Sequence, residues 1–95
     1  MPAYVIFTRE KTFDQNELHR YKDLVPASFV GRAVKPLASG TRFATLEGDA
    51  IDSVTMLEFP TMAEAEAWYR SPEYQEASKH RLKGGEYRCW IIESV

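Results

Sequence analysis

The segment LEFPTMAEAEAWYRSPEYQ, from Leu57 to Gln75, contains two helix-start signals in close succession. Thr61 followed by Glu64 forms a capping box, in which each side chain satisfies a free backbone N–H at the start of a helix. A second start follows at SPE, where Ser71 can cap and Pro72 suits the first helical position. A residue before proline avoids helical geometry, so the chain must break at Ser71. The predicted result is a bent pair of helices, Met62–Arg70 and Pro72–Leu82.

Segments rich in β-branched and aromatic residues predict the strands around this pair. They are Ala3–Arg9, a stretch from Ala33 to Glu47, Ser53–Phe59 and Tyr87–Ser94. The second stretch is two strand-like pieces, AVKPL and RFATLE, separated by ASGT, where Gly40 suits a bulge or a turn. Between the first two strands we predict a helix that Asp14 caps, that Pro26 kinks or interrupts, and that Gly31 ends. The order βαββαβ predicts a single α+β domain over residues 1–95 with a four-stranded antiparallel sheet.

Composition excludes several classes of function. A net charge of −2, with basic residues dispersed among acidic ones, argues against nucleic acid as a partner. No apolar run approaches the length that spans a bilayer, and AYVIF is too short for a signal peptide, so we expect a cytoplasmic protein without a membrane partner. One cysteine, Cys89, rules out an internal disulfide, and two distant histidines form no metal-ligand pattern. We therefore predict no metal and no cofactor.

The strands themselves point to a partner. A sheet with one wet face should alternate apolar and polar residues, whereas AYVIF and CWII do not. The helices of a βαββαβ unit cover only one face of its sheet, so something else must cover the other. A second copy of the chain is the simplest candidate, because symmetric dimers are the commonest oligomers. We predict a homodimer, the alternative being a monomer with unusually apolar strands.

Several motifs resemble the domain-of-unknown-function family 1330 along nearly the whole chain. They are MPAYVI, GR, LEGD, LEFPTMAEAEAWYRSPEYQEA and HRL. The resemblance implies a ferredoxin-like protomer that pairs as a dimeric α/β barrel. That architecture also occurs in cofactor-independent monooxygenases, lactone isomerases, haem-handling proteins and plain dimeric modules, so fold alone selects no activity. VGRAVKPLASG departs from the usual family pattern, and the resemblance therefore does not define a pocket near Lys35–Thr41.

Candidate site residues cluster around the predicted bend. His80 is the candidate for acid–base chemistry, because its ordinary pKa lies near neutrality and it borders the apolar face of its helix; a solvated role is the alternative. Trp68, Tyr69 and Tyr74 form an aromatic cluster that either is core or lines a site for a flat apolar ligand. Arg42 and Arg81 could hold a carboxylate or an enolate, or simply pair with surface acids.

Three functions follow from these features. The first is an isomerase or monooxygenase without metal or nucleotide, acting on a small apolar or aromatic molecule with His80 as the proton handler. The second is a non-catalytic dimeric module that binds a ligand or a partner. The third is a tautomerase in which Pro2, once Met1 is removed, supplies a terminal amine as the base; only MP and a following strand support it. We favour the enzyme over the module.

Overall fold

The computed structural model describes residues 1–95 and has the order βαββαβ, with the second helix divided in two. The strands are β1 (Ala3–Thr12), β2 (Lys35–Gly40), β3 (Ser53–Phe59) and β4 (Gly85–Glu93). The helices are α1 (Gln15–Ser28), α2 (Met62–Arg70) and α3 (Pro72–Gly84). All strand pairs are antiparallel, in the spatial order β2-β3-β1-β4. This is the predicted ferredoxin-like α+β arrangement, and no helix has the length and apolar character needed to cross a bilayer.

Ser71 produces the break between α2 and α3, as predicted. It has extended backbone geometry and serves as the last cap of α2 and the first cap of α3. Its hydroxyl donates to the carbonyl of Trp68 (2.7 Å) and accepts from the backbone N–H of Tyr74 (3.2 Å). Thr61 caps α2 by accepting from the N–H of Glu64. The two helix starts in the sequence are therefore two real helices that share one serine.

Two details of the predicted elements are wrong. Arg42–Glu47 is not a strand, and β2 is the only strand between α1 and β3. RFATLE alternates like a strand, but it pairs with no strand of the sheet, which ends at β2 on this side. Helix α1 continues through Pro26 to Ser28 and ends before Gly31, because Pro26 lies in the last turn, where few further bonds depend on it.

Helices cover one face of the sheet only. On this face β1 contributes Ala3, Val5 and Phe7, which are buried beneath α2 and α3. The opposite, open face carries Ile6, which lies in register between Met56 and Trp90. In a single chain, Trp90 and Ile92 on this face are 41% and 56% exposed.

Candidate functional site

A cavity of about 390 Å³ lies between α1 and the sheet. Its volume is within the range of small-molecule sites. Phe7, Leu57 and Trp68 form an apolar floor, and exposed residues of α1, together with Pro36–Thr41, form its rim. The rim of the cavity thus includes part of β2, the strand between α1 and β3.

The cavity exists because α1 packs chiefly against α3 and not against the edge of the sheet. Two side-chain hydrogen bonds join these helices. The hydroxyls of Tyr21 and Tyr74 are hydrogen-bonded at 2.9 Å, and Nδ1 of His80 lies 2.6 Å from Oε2 of Glu17. Because these bonds hold α1 beside α3, a gap remains between α1 and the strands β2 and β3.

The ring of Tyr21 lies on the cavity wall, and its hydroxyl is bonded to the hydroxyl of Tyr74. Burial raises the pKa of Tyr21 well above its ordinary value of 10, and burial also raises the pKa of Tyr74 to about 12. Both phenols are therefore protonated at neutral pH. The pair can donate a hydrogen bond to a ligand oxygen, but it supplies no base.

Trp68 is fully buried and separates the cavity from the rest of the core. Its indole N–H donates to the hydroxyl of Ser28 (2.9 Å), which donates to the carbonyl of Val25 (2.6 Å). Its ring packs tightly on Tyr74, with centroids 4.1 Å apart. A buried Trp needs such a partner for its N–H, and here that partner comes from the end of α1.

Arg81 lies behind the aromatic wall of the cavity. It is 3% exposed, and its guanidinium carbon is 5.2 Å from the ring centre of Phe7 and 4.9 Å from that of Tyr87. Both rings also line the cavity. Arg81 takes part in none of the three ion pairs, and its Nε has no hydrogen-bond partner. A buried positive charge therefore faces the cavity through two rings.

The predicted site residues are only partly brought together. Trp68 lines the cavity, with Tyr74 directly behind it, while Tyr69 stacks on Tyr74 with centroids 5.5 Å apart. Arg42 is exposed in the segment after β2 and is not on the wall. His80 lies between α1 and α3, bound to Glu17 and away from the cavity wall. Its assignment as the proton handler stays a prediction that this placement does not favour.

Sequence reasoning missed several cavity residues. The cavity wall also includes Arg9, His19, Phe29 and Tyr87, which the sequence did not mark as site residues. Strand alternation gives a signal for Arg9, because it lies two residues after Phe7 on the helix-covered face. No three His, Cys, Asp or Glu side chains are grouped so that they could hold a metal ion.

Fold and cavity together define a class: a ferredoxin-like α+β protein with a small-molecule-sized cavity under its first helix. The chain belongs to the family described as a domain of unknown function, DUF1330, whose model matches residues 2–95. No curated protein matches the sequence.

Solved structures share the fold at low sequence identity. A protein of unknown function from Rhodopseudomonas palustris is 19% identical, with a TM-score of 0.77 over 99% of this chain and 82% of that one. A dimeric protein of unknown function with a ferredoxin-like fold, from Bacteroides fragilis, is 16% identical, with a TM-score of 0.69 over 98% and 96% of the two chains. SnoaB, a cofactor-independent oxygenase from Streptomyces nogalater, is 6% identical, with a TM-score of 0.68 over 99% and 93%. These similarities establish the fold.

Proposed function

We propose that the protein is a homodimer that closes the open faces of two sheets on each other as a dimeric α/β barrel. Ile6, Met56 and Trp90 form an apolar row at the centre of this face. An uncovered apolar patch on a sheet marks an interaction surface. A second copy is the occupant we favour, because the similar structure from Bacteroides fragilis is described as dimeric.

Two matched substitutions test the dimer. Ile92 on the open face and Leu82 on α3 are 56% and 62% exposed in one chain, so a single chain should tolerate lysine equally at either position. We expect Ile92→Lys to give a monomer in native mass spectrometry and light scattering, while Leu82→Lys stays dimeric. If Ile92→Lys remains fully dimeric, the open face is not the interface.

We further propose that the cavity binds a small apolar or aromatic molecule and catalyses proton transfer on it without a cofactor, as an isomerase or monooxygenase of the cofactor-independent type does. The cavity with its aromatic floor is the observation that carries this proposal. The shared fold of the cofactor-independent oxygenase SnoaB supports it by analogy.

The chain's own groups suggest a division of roles. Of the two histidines, His19 is the one on the cavity rim, where its imidazole can accept a proton from a substrate carbon. The electron pair then moves to the adjacent carbonyl oxygen. When Tyr74 is the donor in the bond between the two phenols, the Tyr21 hydroxyl keeps its own proton to donate to that oxyanion. Trp68 and Phe7 supply the flat apolar surface beneath the ring system. Return of the proton to another carbon completes an isomerisation.

Hydrogen–deuterium exchange tests this proposal before any natural substrate is known. In D₂O, the protein should accelerate exchange at the acidic carbon of a flat enolisable ketone such as 2-tetralone, followed by NMR. Thr55→Phe, which fills the cavity, should abolish the acceleration, whereas the exposed Thr45→Phe should not. His19→Ala should slow exchange about 100-fold, the usual contribution of a general base, whereas His80→Ala, which removes only a contact between α1 and α3, should slow it far less. The reverse result would restore His80 as the proton handler.

A non-catalytic ligand-binding module is the second candidate. It is favoured by the pairing of Tyr21 with Tyr74, which occupies a hydroxyl that the catalytic proposal uses. The pairing of His80 with Glu17 likewise holds the other histidine away from the cavity wall. Burial also raises the pKa of the Cys89 thiol to about 11, so it is a poor nucleophile. This candidate predicts that 2-tetralone binds, that Thr55→Phe abolishes binding, and that no exchange exceeds the buffer rate.

The tautomerase based on Pro2 is the least supported proposal. Pro2 precedes β1 at the end away from Phe7 and Arg9, and its carbonyl accepts from the N–H of Ser94 at 2.8 Å. It borders a shallower hollow with Lys35 and Glu58. This function predicts that an N-terminal extension removes all activity, while full activity in such a protein would exclude it.

A further inference from the structure

The charged residues on the cavity wall are of one sign. The chain as a whole has 14 acidic and 12 basic residues, yet none of the 19 residues on the cavity wall is Asp or Glu. Arg9 and Lys22 are both on this wall. A concave apolar surface lined by one sign of charge concentrates ligands of the opposite sign. In a protein of net charge −2, this cavity is a local positive region.

Two guanidinium groups at the cavity have unused donors. Nε of Arg9, on the wall, and Nε of Arg81, behind it, are both buried without a hydrogen-bond partner. Neither arginine takes part in an ion pair. Burying an unpaired charge is costly, and an unpartnered buried donor adds to that cost. An anion in the cavity can accept a hydrogen bond from Arg9, which lies on the wall, and its charge offsets the charge of Arg81 behind the rings.

The two arginines differ in how they can act. Arg9 lies on the helix-covered face of β1, two residues after Phe7, and reaches the cavity directly. Arg81 is screened from contact by the rings of Phe7 and Tyr87, so it acts through its field, which is strong where water is excluded. Arg9 is thus placed to pair directly with an acidic group of a ligand. Arg81 is placed to favour the ionised form of that acidic group.

We propose that the cavity selects a planar aromatic carboxylate, held by the guanidinium of Arg9, with its ring system on Phe7 and Trp68. This inference rests on the proposed small-molecule site and adds the chemical class of its ligand. The two N–H donors of a guanidinium match the two oxygens of a carboxylate. A neutral amide of the same shape has only one acceptor oxygen and no negative charge.

A pair of isosteric probes tests the proposal. Binding of 1-naphthoate and of neutral 1-naphthamide to the dimeric protein is measured by calorimetry at neutral pH. We expect naphthoate to bind at least about tenfold more tightly, since hydrogen bonds to charged groups are the stronger class. Arg9→Gln should remove this preference. Lys11→Gln, which changes the same charge on the same strand at an exposed position off the cavity wall, should retain it.

The possible failures are distinguishable. Equal binding of both probes, abolished by Thr55→Phe, would overturn the selection of a carboxylate and leave the small-molecule site standing. A preference for naphthoate that survives in Arg9→Gln would overturn the role of Arg9. If neither probe binds, both this inference and the proposed site are wrong.

Discussion

The helix layer covers the sheet in two halves that differ in packing. In the filled half, beneath α2 and α3, Ala65, Trp68 and Tyr74 are completely buried against β1 and the neighbouring strands. In the hollow half, beneath α1, the sheet residues Ser53 and Thr55 face a cavity instead of side chains. The two halves share one sheet, so the difference arises from where each helix is anchored. The filled half supplies stability, and the hollow half leaves room for a ligand.

The largest expected effect is in the filled half. Trp68→Ala should lower the free energy of unfolding by about 3–5 kcal/mol, the usual range for a large aromatic core residue. Val25→Ala, on the partly buried wall of the hollow half, should cost about 1 kcal/mol or less. Urea denaturation measures both values. Similar losses at the two positions would contradict the division into halves.

The next largest difference in stability between the halves should come from substitutions that enlarge a side chain. Ala65→Leu forces extra methylenes into a closed core and should destabilise the protein by about 1–3 kcal/mol. Thr55→Leu points the same kind of side chain into the cavity and should change stability by less than about 0.5 kcal/mol. Thermal unfolding compares the two, and a matching loss at Thr55 would mean that the cavity is closed in solution.

Hydrogen bonds should follow the same division with a smaller effect. Ser28→Ala leaves the indole N–H of Trp68 buried without an acceptor, which should cost about 1–2 kcal/mol. Thr55→Val removes a hydroxyl that bonds Ser39 at 3.1 Å in exposed surroundings, and it should be nearly neutral. The check is the midpoint of urea unfolding, where only Ser28→Ala should be shifted clearly.

The smallest effect concerns the contact that joins the halves. The hydrogen bond from His80, more than the neighbouring charges, lowers the pKa of Glu17 below 4.5. A carboxylate whose folded pKa is depressed stabilises the protein above its unfolded pKa, and loses that contribution as pH falls through the folded value. The stability difference between wild type and Glu17→Gln should therefore be present at pH 6 and shrink toward pH 3. Glu76→Gln is the control, because Glu76 is in an exposed pair with Lys79, and it should change stability less at either pH. A stability difference between wild type and Glu17→Gln that does not depend on pH would refute the contact.

Local sequence signals were enough to predict the filled half. Thr61, Ser71 and Pro72 determine α2, the break and α3 through caps and proline geometry that act within one turn. The buried row of α3, which includes Tyr74, Ala77 and Arg81, is also as its spacing predicts. These features depend on neighbours in the chain.

The hollow half could not be predicted, because it depends on contacts between distant segments. The position of α1 beside α3 follows from two hydrogen bonds between distant residues. Tyr21 bonds Tyr74, which lies 53 residues away, and Glu17 bonds His80, which lies 63 residues away. Such pairings leave no trace in local periodicity. RFATLE alternates like a strand without being one, because alternation within a segment does not show whether another strand is available to pair with it. The bend between α2 and α3, around which the candidate residues were predicted to cluster, is closely packed, because Ser71 and Tyr74 are buried there.

The anchoring of α1 to α3 has a consequence for how such a protein can diversify. The size of the cavity depends on the position of one helix, and that position is set by contacts outside the sheet. Substitutions at the α1–α3 contact can shift this helix and resize the cavity without repacking β1 or Trp68. The volume of the cavity can therefore change while the strands that carry the proposed dimer surface stay unchanged.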